Sequence, residues 1–137
     1  PGAAFEGDHV ALRIVGLGTP RLAGEGTRIG TARRPPRGVR KEDYASGDWF
    51  DVWYPDLAPS AELMAQGKEA RSDKDWAGFV RRFRAEMDEP TPRRTLDLLA
   101  ALSHGAAFSV GCYCEEEARC HRSVLRQLLA ERGADLA

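Results

Sequence analysis

Apolar residues recur at intervals of three and four along four stretches of the chain, which predicts four helices that each bury one face. The clearest helix is expected over about 75–87, behind the capping residues Ser72 and Asp73. Its apolar stripe consists of Trp76, Phe79, Val80, Phe83 and Met87. A shorter helix is expected over about 61–66, with Ser60 as its N-cap.

The other two helices flank a short apolar strand predicted over 106–111. Thr91 and Pro92 supply an N-cap and a first-turn proline for the third helix, which is expected to stop at Gly105. The residues predicted to face inward are Leu96, Leu99, Ala100 and Leu102. The last helix is expected to begin near 120–123 and to end at Gly133. Its apolar face consists of Val124, Leu125, Leu128 and Leu129.

Strand patterns occur in the first half of the chain. A run over 11–15 closes at Gly16, a short strand is expected around 28–32, and 49–54 has strand composition. Alternation predicts Phe50, Val52 and Tyr54 on one face of the last strand. Trp49 and Trp53 are expected in the core, with the wall of a ligand pocket as the alternative. Helix, strand, loop and helix follow one another in the last third. The pattern therefore predicts an α/β fold, a single three-layer domain over 1–137 with a mainly parallel sheet flanked by helices.

Composition narrows the class of function. Lys and Arg total 20 against 21 Asp and Glu, which argues against a general nucleic-acid binder. No stretch is long and apolar enough to span a membrane, and nothing before Val10 has the pattern of a secretion signal. Three cysteines in a chain of 137 residues favour reduced thiols. We therefore expect a cytoplasmic protein and leave its oligomeric state open.

The candidate chemistry lies in the segment GCYCEEEARCHRS, residues 111–123. It follows a strand and opens a helix, and in parallel sheets ligands bind beyond such strand ends. Free N–H groups and the helix dipole there favour an anion and lower the pKa of a nearby thiol. Arg122 and Ser123 are similar to the end of the loop in cysteine phosphatases, although seven residues separate Cys114 from Arg122, more than that loop spans. The three glutamates of this segment, 115–117, are expected to point to solvent.

Three interpretations of this segment remain open. In the first, Cys112 or Cys120 is a nucleophile, His121 transfers protons and Arg122 holds an anion. In the second, zinc or iron is bound; the ligands would be Cys112, Cys114, Cys120 and His121. In the third, Cys112 and Cys120 form a redox pair. Cys112 taken alone is expected to be a small core residue.

A second candidate region is the basic segment 33–41, which Pro35 and Pro36 hold extended. Arg34, Arg37 and Lys41 are expected to fold across the sheet end towards Arg122 and to form a pocket for a small anion, with Ser123 as a further ligand contact.

Four segments of the chain resemble the bacterial domain-of-unknown-function family 488, which includes the YeaO-like proteins. They read RRPPRGVRKEDY, WFDVWYPDLAPSAEL, WAGFVRRFRAEM and GCYCEEEARCHRSVL. The residues that match the family's motifs are Arg34, Pro36, Arg37, Gly38, Lys41, 57–60, Cys112, Cys120, His121 and Arg122. Similar members often carry an acidic residue in place of Cys114, and YeaO-like members lack the Cys-His-Arg triplet. The resemblance therefore implies that anion binding, rather than thiol chemistry, is the shared property.

The leading interpretation is an α/β protein that binds a small phosphate-, carboxylate- or nucleotide-like anion beside reactive cysteines and needs no cofactor. The alternative is a metal-binding or thiol redox-sensing module without turnover, with zinc or iron bound. A third interpretation is that the basic segment alone binds a nucleic acid or a protein partner.

Overall fold

The fold is taken from a computed structural model that describes residues 11–114 and 116–137. The first ten residues, which include His9, and Glu115 lie outside the described residues. Within them the chain forms a four-stranded sheet in the order β1-β4-β2-β3, with every neighbouring pair parallel. The strands are β1 (Leu12–Gly16), β2 (Thr27–Gly30), β3 (Val52–Trp53) and β4 (Phe108–Cys112). The predicted α/β fold with a parallel sheet is confirmed.

Four helices accompany the sheet: α1 (Ala61–Glu69), α2 (Asp73–Met87), α3 (Pro90–Leu102) and α4 (His121–Glu131). The caps predicted for α1 and α2 are confirmed, because Ser60 Oγ accepts a hydrogen bond from Leu63 N and Ser72 Oγ accepts one from Asp75 N. Gly133 lies just beyond α4 with a φ of 77°, a left-handed conformation that suits the C-terminal end of a helix. Helix α1 is three residues longer than predicted.

One apolar core joins the helices to one face of the sheet. The strands contribute Leu12, Phe108 and Val110, and each helix contributes buried side chains to the same cluster. The helical members are Leu63, Phe79, Phe83, Met87, Leu96, Leu99, Ala100, Val124, Leu125, Leu128 and Leu129. This burial of aliphatic and aromatic side chains is the main source of stability in a domain of this size.

The opposite face of the sheet carries a buried polar network. Arg28 of β2 donates from Nε and Nη2 to Glu25 and from Nη1 to the main-chain oxygens of Thr19 and Asp48. Ser109 Oγ of β4 donates to Glu25 as well, at 2.7 Å. Burial would raise the pKa of Glu25, but the hydrogen bonds from Arg28 and Ser109 prevail and lower it to about 2. The network ties the loops around residues 19–25 and 48 to the sheet, so these loops form the layer on this face.

Three details of the predicted elements are wrong. The segment 49–54 contains only the two-residue strand β3, and Val52 is 45% exposed although Phe50 is buried, so these two residues do not share a buried face. Helix α3 begins at Pro90 with Glu89 as its N-cap, so Thr91 and Pro92 lie inside its first turn. Leu102 is 47% exposed, because at 100° per residue it lies about 120° away from Leu96 around the helix.

No helix among the described residues is both long enough and apolar enough to cross a lipid bilayer.

Candidate functional site

A surface cavity of about 430 Å³ lies at the carboxyl ends of β1 and β4, where Gly16 and Cys112 are paired. Its lining consists of Gly16, Leu17, Gly18, Thr19, Trp49, Tyr113, Cys114 and Arg122. Parallel pairing of β1 with β4 brings the loop after each strand to the same sheet edge, which is where ligands bind in open α/β sheets. The cavity therefore combines residues that lie about a hundred positions apart in the sequence.

Arg122, in the first turn of α4, is the charged residue of the cavity wall. Its Nη1 donates to the carbonyl oxygens of Val15 and Cys112, both at 3.0 Å. The side chain is buried, and within the described part of the chain its Nε has no hydrogen-bond partner. A Cβ at Gly16 would lie only 2.9 Å from Nη1, so the guanidinium occupies its place because residue 16 has no side chain.

Two aromatic rings also line the cavity. Trp49 and Tyr113 meet edge to face, with ring centroids 5.8 Å apart. Gly18 has a φ of 91°, and a Cβ there would lie 2.9 Å from the Trp49 ring, so both its conformation and the close approach require glycine. Trp49 lines the cavity, which is the alternative to the core position expected for it. Trp53, also expected in the core, is 42% exposed.

The three cysteines form a compact group beneath and beside the cavity. Cys112 and Cys120 are buried and pack with Ala32, whereas Cys114 is half-buried and reaches the cavity. The sulfur atoms of Cys112 and Cys114 are 4.0 Å apart. Hydrogen bonds from the Cys112 and Cys120 thiols, followed by the charge of Arg122, lower the pKa of Cys114. The hydrogen bond to Cys114 raises the pKa of Cys112.

His121 is held in one tautomer. Its Nε2 lies 2.9 Å from the main-chain oxygen of Thr31, which can only accept, so Nε2 carries the proton and donates it. The Nδ1 lone pair then faces Cys120, whose sulfur is 3.9 Å away. Burial lowers the pKa of His121 to about 4, so the ring is neutral near pH 7.

Three potential metal ligands lie close together in this group. Cys112, Cys120 and His121 are all buried, and their ligand atoms lie within 4.8 Å of one another. The fourth residue of the predicted metal set, Cys114, is adjacent to Cys112. The structure thus brings all the members of the predicted metal-binding set into one region.

The predicted basic residues lie further out. Arg34, Arg37 and Lys41 are exposed, and the described lining of the cavity does not include them. The segment that carries them is nevertheless joined to the site, because Tyr113 Oη donates to the main-chain oxygen of Arg34 at 3.0 Å. The part assigned to their side chains in ligand binding stays a prediction.

Ser123 supports the start of helix α4 in this structure. Its Oγ donates to the main-chain oxygen of Cys120 at 2.8 Å. The role of Ser123 as a ligand contact also stays a prediction. Of the three glutamates expected to point to solvent, Glu116 is exposed, Glu117 is half-buried and pairs with Arg126, and Glu115 lies outside the described residues.

Sequence reasoning did not identify Tyr113 or the segment 16–19 as parts of the site. The available signal was the pair of glycines directly after the first strand, at a strand end where ligands bind in parallel sheets.

The model of the family DUF488-N3a, described as the active DUF488-N3 subclade, matches residues 12–133 of the chain. The match therefore includes every strand and helix described above. No curated protein and no solved structure matched the chain.

Proposed function

The chain belongs to the DUF488 family, and from that premise we propose that it binds a small anionic ligand, phosphate-, carboxylate- or nucleotide-like, in the cavity beside Cys114. One observation carries the proposal: Arg122 and Cys114 line the same cavity at the carboxyl ends of two adjacent parallel strands. The guanidinium of Arg122, which attracts the anion, and the thiol of Cys114, which contacts it, therefore line one cavity.

The charge of Arg122 is available to a ligand. The partners of its Nη1 are carbonyl oxygens, which are dipoles and do not neutralise a full positive charge. None of the ion pairs found among the described residues includes Arg122. A partly buried guanidinium without a carboxylate is a favourable partner for an anion, because the surrounding protein screens the attraction less than water does.

The size and the walls of the cavity restrict the ligand. A volume of about 430 Å³ lies in the range of small-molecule sites. The rings of Trp49 and Tyr113 offer an apolar surface for a flat or aliphatic part of the ligand. The ligand is therefore expected to carry an anionic group at the Arg122 side and a less polar group at the aromatic side.

Cys114 is the thiol that this ligand contacts. The nucleophiles predicted from the sequence, Cys112 and Cys120, are 4% and 1% exposed and lie beneath the cavity surface. If the bound ligand reacts, Cys114 is the attacking sulfur in this proposal and Arg122 stabilises the anion. The description of the matched subclade as active favours such turnover. Free thiols on all three cysteines favour a reducing compartment, and we propose the cytoplasm.

Calorimetric titration with inorganic phosphate and with sulfate tests the proposal. We expect saturable binding at one site, and at least tenfold weaker affinity in Arg122→Lys, because one ammonium cannot replace the planar guanidinium. Arg119→Lys is the matched control, since Arg119 lies in the same segment but pairs with Asp73 at the surface. Circular dichroism establishes that each variant is folded.

Two further variants separate the cavity from the basic loop. Replacement of Arg34, Arg37 and Lys41 by alanine is expected to weaken phosphate binding by a smaller factor than Arg122→Lys. The proposal is refuted if the wild type shows no saturable binding. It is also refuted if the wild type and folded Arg122→Lys bind both anions with equal affinity.

A further inference from the structure

We propose that Cys112, Cys114, Cys120 and His121 together bind one zinc ion in a tetrahedral site beneath the cavity. The site shares Cys114 with the cavity of the proposed function, but Cys112, Cys120 and His121 do not belong to the described lining of that cavity. Zinc binding can therefore be measured independently of anion binding. Thiolate and imidazole ligands are the set that zinc prefers in proteins.

The ligand atoms are already close to the spacing that zinc requires. With zinc–sulfur bonds of about 2.3 Å, two sulfurs in a tetrahedral site lie about 3.8 Å apart. The sulfurs of Cys112 and Cys114 are 4.0 Å apart, and the sulfur of Cys120 is 3.9 Å from His121 Nδ1. The ligand atoms of Cys112, Cys120 and His121 lie within 4.8 Å of one another. The separations among the ligand atoms of Cys112, Cys120 and His121 are therefore close to those of a tetrahedral site, and the sulfur of Cys114 lies beside that of Cys112.

The histidine is oriented as a metal ligand. Metal-bound histidines commonly donate their second ring N–H to a carbonyl or carboxylate, which fixes the tautomer and aims the free nitrogen at the ion. His121 Nε2 donates in this way to the oxygen of Thr31 at 2.9 Å. Thr31 is itself fixed, because its main-chain N and its Oγ1 both donate to the oxygen of Gly111 at 2.9 Å. The lone pair of Nδ1 is thereby directed to the cysteine side of the ring.

The ligands stand on rigid elements that meet at the sheet end. Cys112 is the last residue of β4, Cys120 is the N-cap of α4 and His121 is its first residue. Cys114, half-buried in the loop after β4, would close the site from the cavity side. Three of the four ligands are thus fixed before the metal arrives, which lowers the ordering cost of binding.

Packing alone does not explain this arrangement. A buried cysteine by itself is an ordinary core residue. Here three thiols and an imidazole nitrogen converge, and the partner of that nitrogen is the thiol of Cys120, a weak donor, at 3.9 Å. A buried hydrogen-bond acceptor lowers the stability of the folded protein when no strong donor or metal ion is bonded to it. A zinc ion satisfies the nitrogen and the sulfurs at once.

The test is metal content and ligand spectroscopy of the whole, reduced chain. We expect one zinc per chain after dialysis against zinc and removal of the excess. Cobalt(II) in place of zinc should give the intense visible bands of a tetrahedral site and a charge-transfer band from thiolate to metal. A titration without bound zinc and without cobalt bands would overturn the proposal, and no variant is needed for that result.

Single substitutions then identify the ligands. Cys112→Ser, Cys120→Ser and His121→Gln should each weaken zinc binding at least 100-fold, and Cys114→Ser should weaken it less because that residue is the least rigid of the set. His104→Gln is the matched control, since His104 is exposed and bonded to the oxygen of Gly133. Unchanged zinc affinity in folded Cys114→Ser and His121→Gln would overturn the ligand set. Metal-free protein can also be treated with a mild oxidant. If Cys112 and Cys120 then form a disulfide, and the reduced protein takes up no zinc, the zinc site is overturned in favour of a redox pair.

Discussion

Gly16 makes room for the residue on which the anion site depends. A Cβ at this position would lie 2.9 Å from Arg122 Nη1, and the guanidinium is itself held by two carbonyl oxygens. We therefore expect Gly16→Ala to displace Arg122, to lower the free energy of unfolding by about 1–3 kcal/mol and to weaken phosphate binding. Denaturant unfolding and calorimetric titration measure the two effects.

Gly105→Ala is the control for this substitution, because a Cβ at Gly105 would meet no atom within 4 Å. It should change the free energy of unfolding by less than about 1 kcal/mol and leave phosphate binding as it is. If Gly16→Ala bound phosphate as the wild type does, Arg122 could not be the anion contact that we propose.

At the same scale, the sequence predicted part of the site. A strand, a loop and a helix follow one another along this part of the sequence. That order alone was enough to place four site residues around one strand end: Cys112, Cys120, His121 and Arg122. The neighbours that complete the cavity could not be predicted in this way. Trp49 and Tyr113 meet only because β1 pairs with β4 and the loop before β3 folds back over that edge, and no local pattern encodes such a contact.

At the scale of elements, the helices were predicted best, because their apolar spacing and their capping residues agree. Helix α2 and its cap at Ser72 are the clearest case. The segment 49–54 was predicted worst, since its aromatic and β-branched residues have strand propensity but only Val52 and Trp53 pair with β2. Composition alone cannot tell a strand from a loop that buries one aromatic ring.

The orientation of α3 gives a prediction for a matched pair of leucines. Leu96 is completely buried, whereas Leu102 is 47% exposed. We expect Leu96→Ala to lower the free energy of unfolding by about 2–5 kcal/mol and Leu102→Ala to lower it by less than about 1 kcal/mol. Urea denaturation followed by circular dichroism measures both. Equal losses would mean that α3 is rotated about its axis relative to the arrangement described above.

At the scale of the whole molecule, the buried pair of Arg28 and Glu25 links folding to pH. The pKa of Glu25 is about 2 in the folded state against 4.5 for an ordinary glutamate. As the pH falls, the unfolded state therefore takes up this proton first, and the stabilisation that is complete above about pH 5 is lost between about pH 5 and pH 2. The difference corresponds to about 3 kcal/mol. Thermal unfolding at a series of pH values should follow this decline.

Glu25→Gln serves as the comparison in that series. The variant should be less stable at pH 7, because it leaves the Arg28 charge buried without a carboxylate. Its stability should also fall less steeply through the acid range. A wild-type profile that is flat between pH 5 and pH 2 would contradict the assignment of a low pKa to Glu25.

One face of the sheet packs against the apolar core, and the other face carries loops that reach the cavity. The apolar core lies with the helices, whereas Trp49 and residues 17–19 reach the cavity from the loops on the polar side. Ligand preference can therefore be altered by randomising Thr19 and Trp49, while Gly18, whose conformation requires glycine, and the helical half are left untouched. Directed evolution of new selectivity should begin there, and most of the resulting library should still fold.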